Sequence, residues 1–360
     1  MSVIEAVETS WHKIPFGGSR GGSGATGFDL LLATVTDTDG ANGLGITFGL
    51  TGGAGAVKNL IDNDLTALVS GTALDHWPAT WEAAWARTHR LGRGHALPAL
   101  SALDLAVHDL EAKRRGLPLY RHLGVHADSV EIYGSGRATH QMDVSQLIEG
   151  TQRYLDEGLR AVKLRAGALG AEEDVARIAA VREAVGDSVR LMVDCNERLD
   201  LTTALWFAQR LTELDIYWLE EPLRSDDIDG HRRLAQHTGL PIAVGEHLLG
   251  RFEFAQYLQR DAATILQPDP PLSGGVTEWR RISAIAEAGS AYLTPHFLPE
   301  LNIHLAASVP NCPYVEHFPT IDDVLLETIE IRNGRAIPPE RPGHGLLFDP
   351  DALKRFACSQ

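Results

Sequence analysis

The chain has 360 residues, with 32 Lys and Arg against 48 Asp and Glu, for a formal net charge of −16. That length suits one large α/β barrel with a smaller companion unit, and the negative balance argues against nucleic acid or an anionic membrane as a partner. The three cysteines, Cys195, Cys312 and Cys358, are too widely spaced for a disulfide framework or a CxxC metal site, and MSVIEAVETSWHKIPF does not read as an export signal. No run approaches the roughly 18 apolar residues of a membrane span, so a cytoplasmic protein is expected.

Up to about residue 125 the pattern is strands followed by helices. FDLLLATVTDTDGANGLGITFG reads as two strands around a Gly-rich turn, while WPATWEAAWARTHR and PALSALDLAVHDLEAKRRG carry helical apolar spacing. Residues 1–125 are therefore expected to form an α+β unit. Two stretches within it, FGGSRGGSGATG (16–27) and GLTGGAGA (49–56), are too dense in glycine for regular structure and read as mobile loops.

From residue 130 short apolar strands alternate with amphipathic segments that often end at Gly. The strands are VEIYG, AVKLR, LMVDCN, IYWLEE, PIAVGE, TILQPD, AYLTPH and YVEHF. Eight strand–helix units predict a (β/α)8 TIM-like barrel over 126–322, with a doubly wound sheet as the alternative. Residues 323–360 read as a hairpin and tail outside the barrel, free to return to the first unit.

In such a barrel the side chains that do chemistry close the C-terminal ends of the strands. Here those positions are nearly all ionisable: Lys163 and Arg165, then Asp194, Glu220, Glu246, Asp269, His296 and Glu316. From Asp194 onward the gaps are 26, 26, 23, 27 and 20 residues, about one strand–helix unit each. Asp194, Glu220 and Glu246, at consecutive strand ends, would repel one another unless a cation sat between them, and hard oxygen ligands favour Mg2+. Asn196 and Glu221 sit beside two of these residues, placed to hydrogen-bond them or pack behind them, and Asn196 is also a candidate substrate contact. Asp269 and His296 end neighbouring strands and can pair as an oriented base. Glu316 can hold a proton for a developing oxyanion, with a salt bridge at the rim as the alternative. His108 and His317 read as ordinary polar residues; His247 follows a proposed ligand and is expected to touch the substrate. Lys163 and Arg165, two apart on one strand, should face the same space.

The ordered series VKLR, MVDCNE, WLEEP, VGEH, LQPD…SGGVTEW, TPHF and YVEHF resembles the enolase superfamily, and within it the mandelate racemase subgroup. The likeness covers most of the chain, including SALDLAVHDLEAKRRGLPLY before the barrel and GHGLLFD near its end. It implies a capping domain, built from the N-terminal region and the C-terminal tail, whose Gly-rich loops close over the barrel mouth. It also implies a Mg2+ held by Asp194, Glu220 and Glu246 that chelates a carboxylate substrate. In this scheme His296 with Asp269 removes the α-proton, Glu316 hydrogen-bonds the substrate carboxylate, and Lys163 helps to neutralise it. Arg165 departs from the subgroup, many members of which carry a second Lys there as a base on the opposite face.

A guanidinium cannot serve as that base, which weighs against racemisation and for a one-base elimination. The expected activity is dehydration of a sugar acid, an aldonate or aldarate, to a 2-keto-3-deoxy acid. An epimerase, racemase or cycloisomerase is the nearest alternative, and a metal-binding barrel without catalysis is the other. Arg20, in the first Gly-rich loop, is a candidate for the distal end of the substrate. A homo-oligomer is expected.

Overall fold

The computed structural model describes residues 2–16, 25–50 and 52–358. Three antiparallel strands, β1 (Ile4–Pro15), β2 (Gly27–Asp37) and β3 (Asn42–Gly49), form a sheet in sequence order. The long helix Arg93–Arg114 lies against this sheet, with the helix Trp77–Leu91 packed on it. Glycine permits the close approach: a Cβ on Gly45 would lie 1.8 Å from the Ala102 carbonyl oxygen. The stretch 49–56 is more regular than its composition suggested. β3 runs to Gly49 and a helix opens at Ala54, because Gly52 and Gly53 absorb the positive φ angles between them. Most of the other Gly-rich stretch, Arg20 included, lies outside the described residues.

The eight barrel strands are β4 (Val130–Gly134), β5 (Ala161–Arg165), β6 (Arg190–Asp194), β7 (Ile216–Glu220), β8 (Ile242–Val244), β9 (Ile265–Leu266), β10 (Tyr292–Leu293) and β11 (Tyr314–His317). Parallel pairing runs unbroken from β10 back to β4, and β4 pairs with β11. Between β10 and β11 the Leu293 N–H donates to the Asn311 carbonyl at 2.8 Å. The strands are buried on both faces, as their near-continuous apolar runs require. Inside the barrel a layer of Tyr133, Met192, Trp218, Ala243, Ile265 and Tyr314 fills the floor.

The C-terminal segment divides. β12 (Glu330–Arg332) and β13 (Arg335–Ile337) form a hairpin whose second strand pairs with Val130 and Glu131 of β4. The helix Pro350–Phe356 then returns to β1, and the Cys358 N–H donates to the Trp11 carbonyl at 2.9 Å. A cluster of Phe28, Phe48, Phe297 and Phe318 joins the N-terminal sheet to the barrel mouth, with Phe48 and Phe297 centroids 5.0 Å apart. No described helix is long and apolar enough to cross a membrane. The three cysteines are unpaired.

Candidate active site

Strand register builds the site. Arg165 stands opposite Asp194 across β5 and β6, and Asp194 stands opposite Glu220 across β6 and β7. Lys163 and Arg165 are both buried and converge on one carboxylate oxygen: Lys163 Nζ is 3.5 Å and Arg165 NH1 2.7 Å from Asp194 Oδ2. The i, i+2 alternation of a strand accounts for this shared direction.

Each acid has defined partners. Glu220 Oε1 accepts from Lys163 Nζ at 2.5 Å, and its Oε2 accepts from Trp218 Nε1 at 3.0 Å and Gln267 Nε2 at 2.7 Å. Burial pushes the Glu220 carboxyl up to about 7 despite the lysine. Asp194 moves the other way: burial would raise it, but Arg165 and Lys163 hold it below the usual range. Burial would also lower Lys163, yet Glu220 and Glu316 keep it well above its ordinary value. Glu246 follows Gly245, where a Cβ would lie 2.6 Å from the Gln267 backbone, so β8 can end close against its neighbour.

His296 Nδ1 donates to Asp269 Oδ2 at 2.7 Å, while its Nε2 lies 3.2 Å from Glu246 Oε2 and 3.9 Å from Glu316 Oε2. Burial opposes a charge on the imidazole, but Glu246, Asp269 and Glu316 together raise it well above the ordinary histidine range. Phe297, in left-handed backbone with φ of 60°, stacks on the His296 ring at 5.2 Å and connects it to the phenylalanine cluster under the N-terminal sheet.

Of the two readings of Glu316, the structure has the ion pair: burial would raise the carboxyl, but Lys163 at 2.9 Å and His296 draw it down, and its Oε2 accepts from the Phe297 N–H at 2.9 Å. In this arrangement it accepts hydrogen bonds and does not donate them. Glu221, placed to bond the neighbouring acids or pack behind them, accepts from His247 Nδ1 at 2.7 Å. That bond lifts His247 to about 9 and fixes its Nδ1 side on Glu221.

His140 is a neighbour of the site that no motif signalled. It lies in the loop after β4, and its Nε2 is 3.0 Å from Asn196 Oδ1, the oxygen to which Arg165 NH1 also donates at 2.5 Å. With its oxygen so engaged, Asn196 turns its Nδ2 toward Asp194 Oδ2 at 3.3 Å. Only the loop path brings His140 to a residue 56 positions away.

Comparison with known proteins places this geometry. The mandelate racemase / muconate lactonizing enzyme N-terminal domain model matches residues 3–124, and the enolase C-terminal domain-like model matches 146–352. The chain belongs to the mandelate racemase/muconate lactonizing enzyme family of the enolase superfamily. It is 35% identical over 360 residues to a 3,6-anhydro-alpha-L-galactonate cycloisomerase of Streptomyces coelicolor, covering 99% of each chain. It is 33% identical over 330 residues to an L-talarate/galactarate dehydratase of Salmonella typhimurium, covering 90% of this chain and 82% of that one. The structure of L-talarate dehydratase from Polaromonas sp., complexed with Mg and L-glucarate, superposes with a TM-score of 0.92 at 32% identity, covering 100% of this chain and 98% of the other.

Proposed function

We propose that the chain is a Mg2+-dependent acid-sugar dehydratase that removes the proton α to a carboxylate and expels the β-hydroxyl, leaving a 2-keto-3-deoxy acid. The observation that carries this reading is the charge balance at the barrel mouth. Five carboxylates (Asp194, Glu220, Glu246, Asp269 and Glu316) face three cations (Lys163, Arg165 and a protonated His296), a surplus of two negative charges. Burial makes such a surplus costly, and the Glu220 carboxyl shows it by rising to about 7. A dication with oxygen ligands balances it.

Asp194, Glu220 and Glu246 suit that ion by chemistry, all three offering hard carboxylate oxygen. Here they do not converge on one point, since Arg165, Lys163 and His296 engage all three. Mg2+ supplies Lewis-acid stabilisation of the charge that develops on the substrate carboxylate. Were Glu246 to hold the ion, the strongest carboxylate influence on the His296 ring would be withdrawn, and Nε2 would be able to take a proton.

His296, oriented by Asp269, takes the α-proton, and the C–H electron pair passes into the enediolate. As the enediolate collapses it expels the β-oxygen, to which the imidazolium gives its proton, so that water leaves. The resulting enol then becomes the ketone. Lys163 and Arg165 hold positive charge on the other side. Arg165 stays protonated and Lys163 is tied to three carboxylates, so neither is a base. Elimination needs one base, whereas racemisation needs one on each face.

A second reading, cycloisomerisation, is favoured by the end-to-end match to the Streptomyces coelicolor relative. Both reactions can begin with the same proton abstraction and differ in whether the departing oxygen leaves the molecule. Incubation in Mg2+ with a panel of aldonates, aldarates and acid sugars whose β-oxygen is part of a ring, read by mass spectrometry, separates them. A keto acid lighter by one water is expected. A keto product of unchanged mass replaces the dehydratase with the cycloisomerase, and α-deuteration of both epimers in D2O replaces it with an epimerase.

A further inference from the structure

We infer that the chain carries a second cation site, for a transition-metal dication such as Zn2+, built from His108, Glu111 and His122. It lies outside the barrel mouth and is independent of the activity proposed above. His108 and Glu111 are three apart on one face of the helix Arg93–Arg114, and His122 comes from the short helix Leu119–Leu123. One donor atom from each of the three residues lies within 4.8 Å of the other two. Glu111 Oε2 is 3.5 Å from His122 Nε2 and 4.0 Å from His108 Nδ1. Ligands at zinc's usual bond lengths around a tetrahedron sit roughly 3.3 Å apart, so side-chain shifts of about an ångström close the set onto an ion.

The surroundings of His108 supply a second, independent observation. Thr277 Oγ1 donates to Asp104 Oδ1 at 2.6 Å, which leaves that hydroxyl oxygen to accept from His108 Nε2–H at 3.2 Å. Asp104 is itself fully buried and anchored by Trp77 Nε1 at 2.8 Å and the Thr277 N–H at 2.8 Å. The proton is thereby fixed on Nε2, so the lone pair is on Nδ1, a buried atom with no hydrogen-bond partner, on the Glu111 side of the ring. A carboxylate, acting through a hydroxyl, that fixes the tautomer of an imidazole is the support a histidine ligand receives in metal sites.

Two imidazoles and one carboxylate are borderline ligands that select Zn2+, Co2+ or Ni2+ over Mg2+. Three protein ligands leave a fourth position for water, and Glu111, with 23% of its side chain exposed, gives solvent access. The ion would clip the long helix of the N-terminal unit to the short helix that leads into the barrel.

Calorimetric titration of the full-length chain with Zn2+ in saturating Mg2+ tests this, because Mg2+ occupies the oxygen site and competes poorly for imidazole. One equivalent should bind, and Co2+ in its place should give the intense visible absorption of four-coordinate geometry. His122→Leu should abolish both signals, and Glu111→Gln should weaken Zn2+ binding at least tenfold; both variants should keep the parent's circular dichroism and Mg2+-dependent activity. Absence of Zn2+ binding by the parent overturns the site, as does unchanged affinity in either folded variant. If a variant fails to fold, the parent's Co2+ spectrum decides: six-coordinate absorption alone overturns the site.

Discussion

At the barrel mouth buried carboxylates outnumber the cations and keep the buried His296 charged; at the seam between β3, the helix Pro299–Ala306 and the C-terminal tail, the buried histidines are neutral. There His304 Nε2–H donates to the His344 carbonyl at 2.9 Å and its Nδ1 accepts from the Tyr120 N–H at 3.4 Å. His344 repeats the arrangement, donating to the Leu44 carbonyl at 2.9 Å and accepting from the Leu346 N–H at 3.1 Å. Both rings are buried to the same degree as His296, and burial lowers both, His304 to about 3. His296 is raised because three carboxylates act on its ring, whereas His344 has Asp109 alone, 3.7 Å from its Nε2, and burial outweighs it. Burial alone therefore does not decide the state of a histidine; the charges around its ring decide with it. The seam spends its histidines on shape, whereas the mouth keeps its own able to exchange a proton.

Substitutions that affect one region and spare the other test this contrast, and His296→Asn should have the largest effect. Removing the imidazole should cut kcat by about 10²–10⁴-fold with Mg2+ present, while the thermal midpoint moves by only a few degrees. A large loss of stability with activity retained would reverse the assignment of the two regions.

Loss of the proposed Mg2+ ligands comes next. Mg2+ at about a hundred times its Kd should stabilise the parent by about 2.7 kcal/mol, and EDTA should remove both that gain and turnover. Glu220→Gln should lose most of the gain, whereas His304→Leu should keep it, as calorimetry or thermal melts will show. An undiminished gain in Glu220→Gln would mean that the ion is bound elsewhere.

His304→Leu should instead act on folding. It strands the Tyr120 N–H and the His344 carbonyl, at about 1–3 kcal/mol for each group, with kcat unchanged well below the melting point. The same ring sets a pH dependence. Its folded pKa of about 3 lies below its unfolded value, so its stabilisation is complete above the unfolded value of about 6.5 and falls by about 1.4 kcal/mol per pH unit as pH drops toward 3. Denaturant titrations across that window should show the slope, and His304→Leu should flatten it by about one proton. An unchanged slope would show that other groups carry it.

Arg165→Lys should have the smallest effect. It restores a titratable amine on the face opposite His296, so slow deuterium exchange of the second α-epimer should appear in D2O, seen by NMR against none in the parent. If the parent already exchanges both epimers, the one-base chemistry fails, whatever the variant does.

The strand–helix alternation and the ionisable residue at the end of each barrel strand were legible in the chain, because strand burial writes apolar runs and the C-terminal rim must be polar. β1 was not recognised: its buried and exposed positions do not alternate regularly, half-buried residues standing between them. The pairing of Lys163 with Arg165 followed from a period of two. The diversion of Glu221 to His247 did not, because the positive φ of 39° at Glu221 takes that side chain off the strand's alternation.

The sequence by itself determined which residue types reach the barrel mouth and in what order, since local period and burial are properties of neighbouring residues. Only the tertiary structure decided the protonation of Glu316, the contact of His140 with Asn196, the neutral relay of His304 and His344, and the meeting of His108, Glu111 and His122. Each depends on which groups from distant segments come within hydrogen-bonding distance of one atom, and the energy of a buried charge varies too steeply with that distance to be read from spacing along the chain.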